Sequence, residues 1–308
     1  MNTIKKLVLF LFAAAIVAGC NKASYKKTKG GMPYQLFKGN DTQRIYPGNF
    51  VKIQLIQKIK DSVYYSTEGK LPLFLQVSST PQPYDLSELW TSLRVGDSVI
   101  TTQMMDTFIN RSPMNISPEF KKGDRIVTYV KVIAIFASDS LARLDDEKNK
   151  KEYTVNEVKA LEKYMTDKKI NAQKTPSGAF VEIITPGTGN LIDSGKYVSL
   201  DYTGKTWSGK TFDSNVDTAF KHDGPLSFTA GTGAMIKGFD EGILFLRLGT
   251  KAKIYIPSMI AFGANSGNPS IKPYENVIFD VTVLDVKDKA PAPATQRPPA
   301  PVNIPPQK

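Results

Sequence analysis

Residues 197–214 read YVSLDYTGKTWSGKTFDS, and residues 236–249 read IKGFDEGILFLRLG. In the first stretch Val198, Leu200 and Tyr202 point one way while Ser199, Asp201 and Thr203 point the other, the period of a half-buried strand. In the second, Ile236, Phe239, Ile243 and Leu246 recur at i, i+3, i+7 and i+10, a single apolar stripe on a short helix. More strands follow. Ala252, Ile254 and Ile256 alternate with Lys251, Lys253 and Tyr255, and Val277, Phe279, Val281 and Val283 alternate with Asp280 and Thr282. One helix with an apolar face against an antiparallel sheet predicts an α+β layer architecture.

The whole chain has 308 residues, 41% hydrophobic and 22% charged, enough for about two domains. That composition excludes a wholly disordered chain, a collagen-like fibre and a polytopic membrane protein. A single cysteine excludes a disulfide framework and a Cys-based zinc site. A single histidine, His222, excludes any metal or catalytic site that needs two imidazoles. The net charge is +11, but nine of those charges sit in residues 1–30 and 289–308. The remaining segments are nearly neutral and offer no basic face for phosphates, so no nucleic-acid partner is expected. No cofactor and no metal is expected either.

Lys5 and Lys6 precede an apolar run from Leu7 to Val17, too short to span a bilayer and built like the core of a signal peptide, residues 1–19. The run ends in Val17-Ala18-Gly19-Cys20, which resembles the bacterial lipobox, whose cysteine is acylated and becomes the first mature residue. Two or more acyl chains on Cys20 would hold stably, at about 0.8 kcal/mol per buried methylene. Lys22, Lys26, Lys27 and Lys29 follow. They either rest on anionic headgroups, at up to roughly 1 kcal/mol each, or form a solvated polar tether over 20–31. Asn21 in place of Asp favours the outer membrane by the lipoprotein sorting rule.

Segment 32–138 reads as mostly strand: Val51, Ile53 and Leu55 alternate with Lys52 and Gln54, and Ile126 to Ile133 is a second run. Segment 139–175 is a charged helical linker, its helix expected over 139–172, with Val155, Val158, Leu161 and Met165 at helical spacing. Segment 176–288 is the strand-and-turn domain already described. Segment 289–308 holds seven prolines and is expected as an extended, disordered tail.

Within 176–288, Tyr202-Thr203-Gly204 and Gly209-Lys-Thr-Phe212-Asp213-Ser214 resemble the signature of FKBP-type prolyl isomerases. So do Ile236-Lys-Gly238-Phe239-Asp-Glu-Gly242, Leu248-Gly249 with Ile256-Pro257, Ala261-Phe262-Gly263, and Val277-Ile-Phe279-Asp-Val281. The resemblance implies a twisted antiparallel sheet wrapped around one short helix. It also implies an aromatic cup for a proline ring, made by position from Tyr202, Phe212, Asp213, Phe228, Met235, Ile236, Phe239, Phe262 and Phe279. Catalytic work would fall to Tyr202, Phe212, Asp213, Ile236 and Phe262, and substrate binding to Phe228, Met235, Phe239 and Phe279. The Ile236 N–H would hold the substrate carbonyl, with the Asp213 carboxylate and the Tyr202 hydroxyl as polar groups at the rim.

The sequence departs from the family in three places. Phe239 stands where the family often has Trp, Phe262 where it often has Tyr, and Leu226 where an aromatic is common. The hydroxyl lost at 262 removes one hydrogen bond, about 0.5–1.5 kcal/mol, so lower activity or altered macrolide affinity is expected, not inactivity. In any β-rich domain Phe228 and Phe279 would be ordinary core, and an Asp after Phe is more often a turn or surface residue. The six-segment context outweighs that reading. His222, in a polar Lys-His-Asp-Gly stretch, reads as a solvated loop residue. Gly231-Thr-Gly233 lacks the ending of a phosphate loop and reads as the turn entering the helix. Asp213-Ser-Asn215-Val-Asp217 lacks the Gly and Glu of a calcium loop.

The first domain reads as a degraded copy of the second. Leu86, Glu88, Leu93, Val95 and Gly96 match Phe239, Glu241, Leu246, Leu248 and Gly249 at a constant offset of 153, and Val130 matches Val281 at 151. Leu55 stands for Tyr202, Tyr65-Ser66-Thr67 for Phe212-Asp213-Ser214, and Asp85 for Gly238. The framework is kept and the pocket is not. The full expectation is therefore α+β, with two FKBP-like domains joined by a charged helix. Its function would be peptidyl-prolyl isomerisation of proline-containing clients exported to the cell envelope. The rival is a non-catalytic chaperone or assembly lipoprotein with a vestigial pocket.

Overall fold

The structure, a computed structural model, describes residues 25–111 and 120–291. The signal peptide, Cys20, Asn21, Lys22 and the tail from residue 292 lie outside the described residues. The chain divides into two compact units between Lys150 and Lys151. Among the described residues no helix is long and apolar enough to cross a membrane.

The first unit contains β1 (Lys26–Lys27), β2 (Pro33–Phe37), β3 (Phe50–Ile59), β4 (Ser62–Ser66), β5 (Leu73–Gln76), β6 (Ser98–Met104), helix α1 (Met105–Arg111) and β7 (Arg125–Phe136). A 3-10 turn over Leu86–Ser92 lies between β5 and β6. The sheet order is β1-β2-β6-β7-β3-β4, with β5 also on β3. Lys26 and Lys27, inside the segment read as a tether, instead form β1 against Tyr34 and Pro33.

Helix α2 (Asp139–Lys168) crosses the division of the chain. In the first unit Lys52 Nζ donates to Asp145 at 2.7 Å and to Asn149 at 3.0 Å. In the second, Val158, Leu161 and Met165 of α2 pack on Phe180 and Tyr255. Val155, at the same helical spacing, is exposed.

The second unit contains β8 (Ala172–Lys174), β9 (Phe180–Thr185), β10 (Tyr197–Thr206), β11 (Thr211–Ser214), β12 (Leu226–Thr229), α3 (Lys237–Ile243), β13 (Lys251–Ile256) and β14 (Val277–Lys287). Its order is β8-β9-β13-β14-β10-β11, with β12 also on β10, strand for strand that of the first unit. Along β10 the even-numbered residues from Val198 to Thr206 are buried, and Val198, Leu200 and Tyr202 share one core with Phe239, Ile243 and Leu246. Tyr255 departs from its alternation: it is buried because Leu161 and Met165 cover that face.

The two sheets share register and irregularities. β3 pairs with β7, and β10 with β14, through a shift at Lys52/Ile53 in one and Ser199/Leu200 in the other. Leu55 then faces Val130 as Tyr202 faces Val281. Polar contacts to the backbone repeat too. Gly30 N donates to Glu88 at 2.6 Å, and Ser177 N to Glu241 at 2.9 Å. Arg94 N donates to Asp97, and Arg247 N to Thr250 Oγ1. Thr67 N donates to Leu55 O while Thr67 Oγ1 accepts from Leu55 N; Asn215 does the same for Tyr202 through its backbone N and Oδ1.

That last pair corrects the sequence alignment of the hairpin. Thr67 corresponds to Asn215, so Ser66 stands for Ser214 and Tyr65, not Ser66, for Asp213. The first hairpin is one residue shorter, which an ungapped comparison cannot register.

Burial pushes the Glu88 carboxyl up, but donation from Gly30, Thr28, Tyr84 and Asp85 outweighs it and holds the group below the ordinary value of 4.5. Burial is likewise outweighed at Glu241 by the Ser177 hydroxyl and N–H. A carboxyl lowered on folding stabilises above its unfolded value, and that stability is lost as pH falls through the folded value. Glu88→Gln and Glu241→Gln are therefore expected to melt below the parent chain at pH 7. The difference should close as pH falls below about 4, followed by thermal unfolding across pH.

Candidate active site

Strand β10 positions Tyr202, β11 Phe212 and Asp213, β12 Leu226 and Phe228, α3 Phe239 and β14 Phe279. Met235 and Ile236 come from the turn entering α3, and Phe262 from the segment after β13. All the aromatic and aliphatic members join one cluster, with Tyr202, Phe212, Phe228, Phe239 and Phe279 buried and Met235, Ile236 and Phe262 partly buried against them.

The rings meet edge to face. Phe212 meets Phe262 at 5.9 Å and 89°, and Phe279 at 5.7 Å and 87°. Phe239 meets Phe279 at 4.9 Å and 63°. Such pairs set ring edges against ring faces and hold the walls in fixed orientation. Tyr202 tilts toward Phe279 at 6.3 Å, and Phe228 toward Phe239 at 6.1 Å.

At the rim the Tyr202 hydroxyl donates to Asp213 Oδ2 at 2.6 Å, and Ser214 N donates to Asp213 Oδ1 at 3.0 Å. Burial, then the Asp213 carboxylate, pushes the Tyr202 phenol well above its ordinary range, so it stays protonated and donating.

His222 is not a free loop residue. Its Nε2 lies 2.6 Å from Asp213 Oδ1 and 3.4 Å from the Tyr202 hydroxyl. The loop returns there through a 3-10 turn over Thr218–Phe220. Asp217 caps that turn by accepting from Ala219 N, and Lys221 ends it in the left-handed region at φ +55°. The sequence signal was Asp217 directly before Thr218-Ala219-Phe220, a residue type that caps the start of a turn.

The turn entering α3 is held from below. Buried Asp240 accepts from Gly231 N at 2.8 Å and Gly233 N at 2.7 Å, which fixes the chain leading to Met235 and Ile236. Asn268 Nδ2 donates to Phe212 O at 3.2 Å and ties the segment after β13 to β11. Sequence reading assigned neither residue to the site.

Gly204 pairs with Asp213 on β11 and with Phe279 on β14. A Cβ on Gly204 would lie 2.6 Å from Phe212 Cζ and 3.0 Å from Phe279 Cε1. In the first unit Gln57 holds this register position, between Tyr65 and Thr128. Gln57 Nε2 donates to Thr128 Oγ1 at 3.4 Å, so an amide and a hydroxyl stand where the second unit has a ring wall.

The family described as FKBP-type peptidyl-prolyl cis-trans isomerase matches residues 189–284. An FK506-binding protein of Neisseria meningitidis serogroup B is 37% identical over 109 residues, 35% of this chain and 96% of that protein. The chain belongs to the FKBP-type peptidyl-prolyl cis-trans isomerase family. FK506-binding protein 4 of Rhizopus delemar is 37% identical over 114 residues, 37% of this chain, and the match spans only 28% of that relative's length. The crystal structure of FkpA from Escherichia coli aligns at a TM-score of 0.36 with 24% identity, over 48% of this chain and 68% of that one. The FKBP match falls on the unit that carries the aromatic cup.

Gly204→Ala should displace the Phe212 ring. Overpacking of this kind costs about 1–3 kcal/mol. The expected signature is a lowered melting temperature of the second unit with NMR shift changes confined to Phe212, Phe262, Phe279 and their neighbours.

Proposed function

We propose that the second unit isomerises X-Pro bonds by enclosing the proline ring in the cup of Tyr202, Phe212, Phe228, Met235, Ile236, Phe239, Phe262 and Phe279. The observation that carries this reading is the buried edge-to-face wall of aromatic rings, with its rim polarity concentrated on Asp213 and Tyr202. An X-Pro amide resists rotation by about 18–20 kcal/mol because of resonance. An apolar enclosure strips water from the amide and favours the less polarised, twisted form. Binding the twisted state better than the planar one is then the whole of the catalysis. Phe212 and Phe262 form one wall, Phe239 and Phe228 the floor, and Phe279 links them. The Ile236 N–H receives the substrate carbonyl, and Asp213, held by Tyr202 and His222, faces the twisting amide from the rim.

The first unit does not isomerise proline in this reading. Gln57, Thr128 and Leu55 replace Gly204, Phe279 and Tyr202, so the fold survives without the enclosure. We further propose that acylated Cys20 anchors the chain in the cell envelope, on the outer membrane, where its clients are exported polypeptides. Support for this part is the sequence Val17-Ala18-Gly19-Cys20 behind an apolar run.

In a cis/trans assay on a short X-Pro peptide, the full chain should accelerate isomerisation. Asp213→Val should lower kcat/KM about 10- to 100-fold, since hydrogen bonds to a charged group contribute about 1.5–3 kcal/mol. Equal rates in both chains would remove Asp213 from the mechanism, and no acceleration by the folded chain would favour a chaperone with a vestigial pocket. Cells fed radiolabelled palmitate should label the parent chain and not Cys20→Ser; equal labelling of the two would refute the anchor.

A further inference from the structure

The segment between β13 and β14, residues 257–276, forms one wall of the cup and has little secondary structure of its own. Loops of this length in compact domains are usually functional. It delivers Phe262 to Phe212 and Asn268 to the Phe212 carbonyl. Internally it is closed by Gly263 N donating to Ser258 O at 2.8 Å and Tyr274 N donating to Gly263 O at 2.8 Å. Its two ends are joined by Ser258 N donating to Asn276 Oδ1 at 2.9 Å.

Both ends are also held from outside by the part of α2 that belongs to the second unit. The Glu157 carboxylate accepts from the fully buried Ser258 hydroxyl through Oε1 and from Met259 N at 3.2 Å through Oε2. One helical turn earlier, the Tyr153 ring meets the Tyr274 ring edge to face at 5.6 Å. Burial pushes the Glu157 carboxyl up, and it pushes the Tyr153 phenol up to about 12 with the Glu157 charge adding to it. A carboxylate partly withdrawn from water costs stability unless its bonds repay it. Here its partners are the first two residues after Pro257.

We propose that Glu157 and Tyr153 are positioning residues of the isomerase site, and that the second half of α2 braces the wall carrying Phe262 and Asn268. On this account the linker helix is part of the catalytic unit, and substrate affinity is set partly from outside the stretch that matches the family. The inference rests on the isomerase reading of the cup.

The test uses the full chain with Glu157→Ala, Glu157→Gln and Tyr153→Phe, the last keeping the ring against Tyr274 and removing the hydroxyl that shares a hydrogen bond with Ser258. Isomerisation of an X-Pro peptide is read as separate kcat and KM, beside hydrogen exchange of individual amides. The expected result in Glu157→Ala is a KM raised about three- to tenfold with kcat within about twofold. Exchange should quicken at Met259, Gly263 and Tyr274 and stay unchanged at Leu200 and Val281. Glu157→Gln and Tyr153→Phe should show the same pattern in smaller measure. Unchanged KM and unchanged local exchange in Glu157→Ala and Tyr153→Phe would overturn the brace. So would faster exchange spread evenly over the unit with normal kinetics. If the parent chain does not isomerise, the isomerase reading falls, and the exchange pattern alone decides whether α2 holds the segment.

Discussion

The packing of Phe212 and Phe279 over β10 depends on Gly204 having no side chain. The antiparallel pairing of β10 sets this residue between Asp213 on one neighbour and Phe279 on the other. Phe212 and Phe279 meet over the space that a Cβ would fill. Close packing of this kind tolerates little added volume. The pairing of Phe212 with Phe279 and the placement of Asp213 on the strand beside Tyr202 accord with that register. Backbone pairing thus does the positioning, and the side chains are carried to it.

The first unit is the same argument with the opposite result. Its topology, its sheet irregularities and its polar contacts to the backbone repeat those of the second. Glu88 and Glu241 tie the same turn to the same helix position, and Thr67 and Asn215 close the same hairpin. These contacts satisfy backbone groups at turns and hairpin ends that the fold needs wherever it is used. The aromatic rings of the second unit carry no such duty. Gln57 and Thr128 can bond to one another across the strands, and Asp85, at the position of Gly238, caps its 3-10 turn by accepting from Ser87 N. One framework therefore supports both an apolar enclosure and its absence.

The α+β layering was legible in the sequence because period-two strands such as 198–206 and the short stripe of Phe239, Ile243 and Leu246 are local signals. The cup residues were legible only through family resemblance, since nothing in their spacing distinguishes a ring wall from ordinary core. What escaped was tertiary. His222 reaches Asp213 through a turn whose closure depends on the Asp217 cap. Tyr255 is buried by helix residues about ninety positions earlier in the chain, which alternation along its own strand cannot reveal. Glu157 is one charge among many on the linker helix in the sequence, and its donors, Ser258 and Met259, lie about a hundred positions later. The hairpin offset at Tyr65 failed for a simpler reason, a one-residue length difference.

The two copies of one fold are proposed to differ in whether they enclose a proline. The most direct measurement is an NMR titration of the full chain with a short X-Pro peptide. The account predicts shifts at Tyr202, Phe212, Phe239, Phe262 and Phe279, with the signals of Leu55, Leu86 and Thr128 unmoved. Comparable shifts around Leu55 and Leu86, or none in either unit at peptide concentrations that saturate turnover, would contradict it.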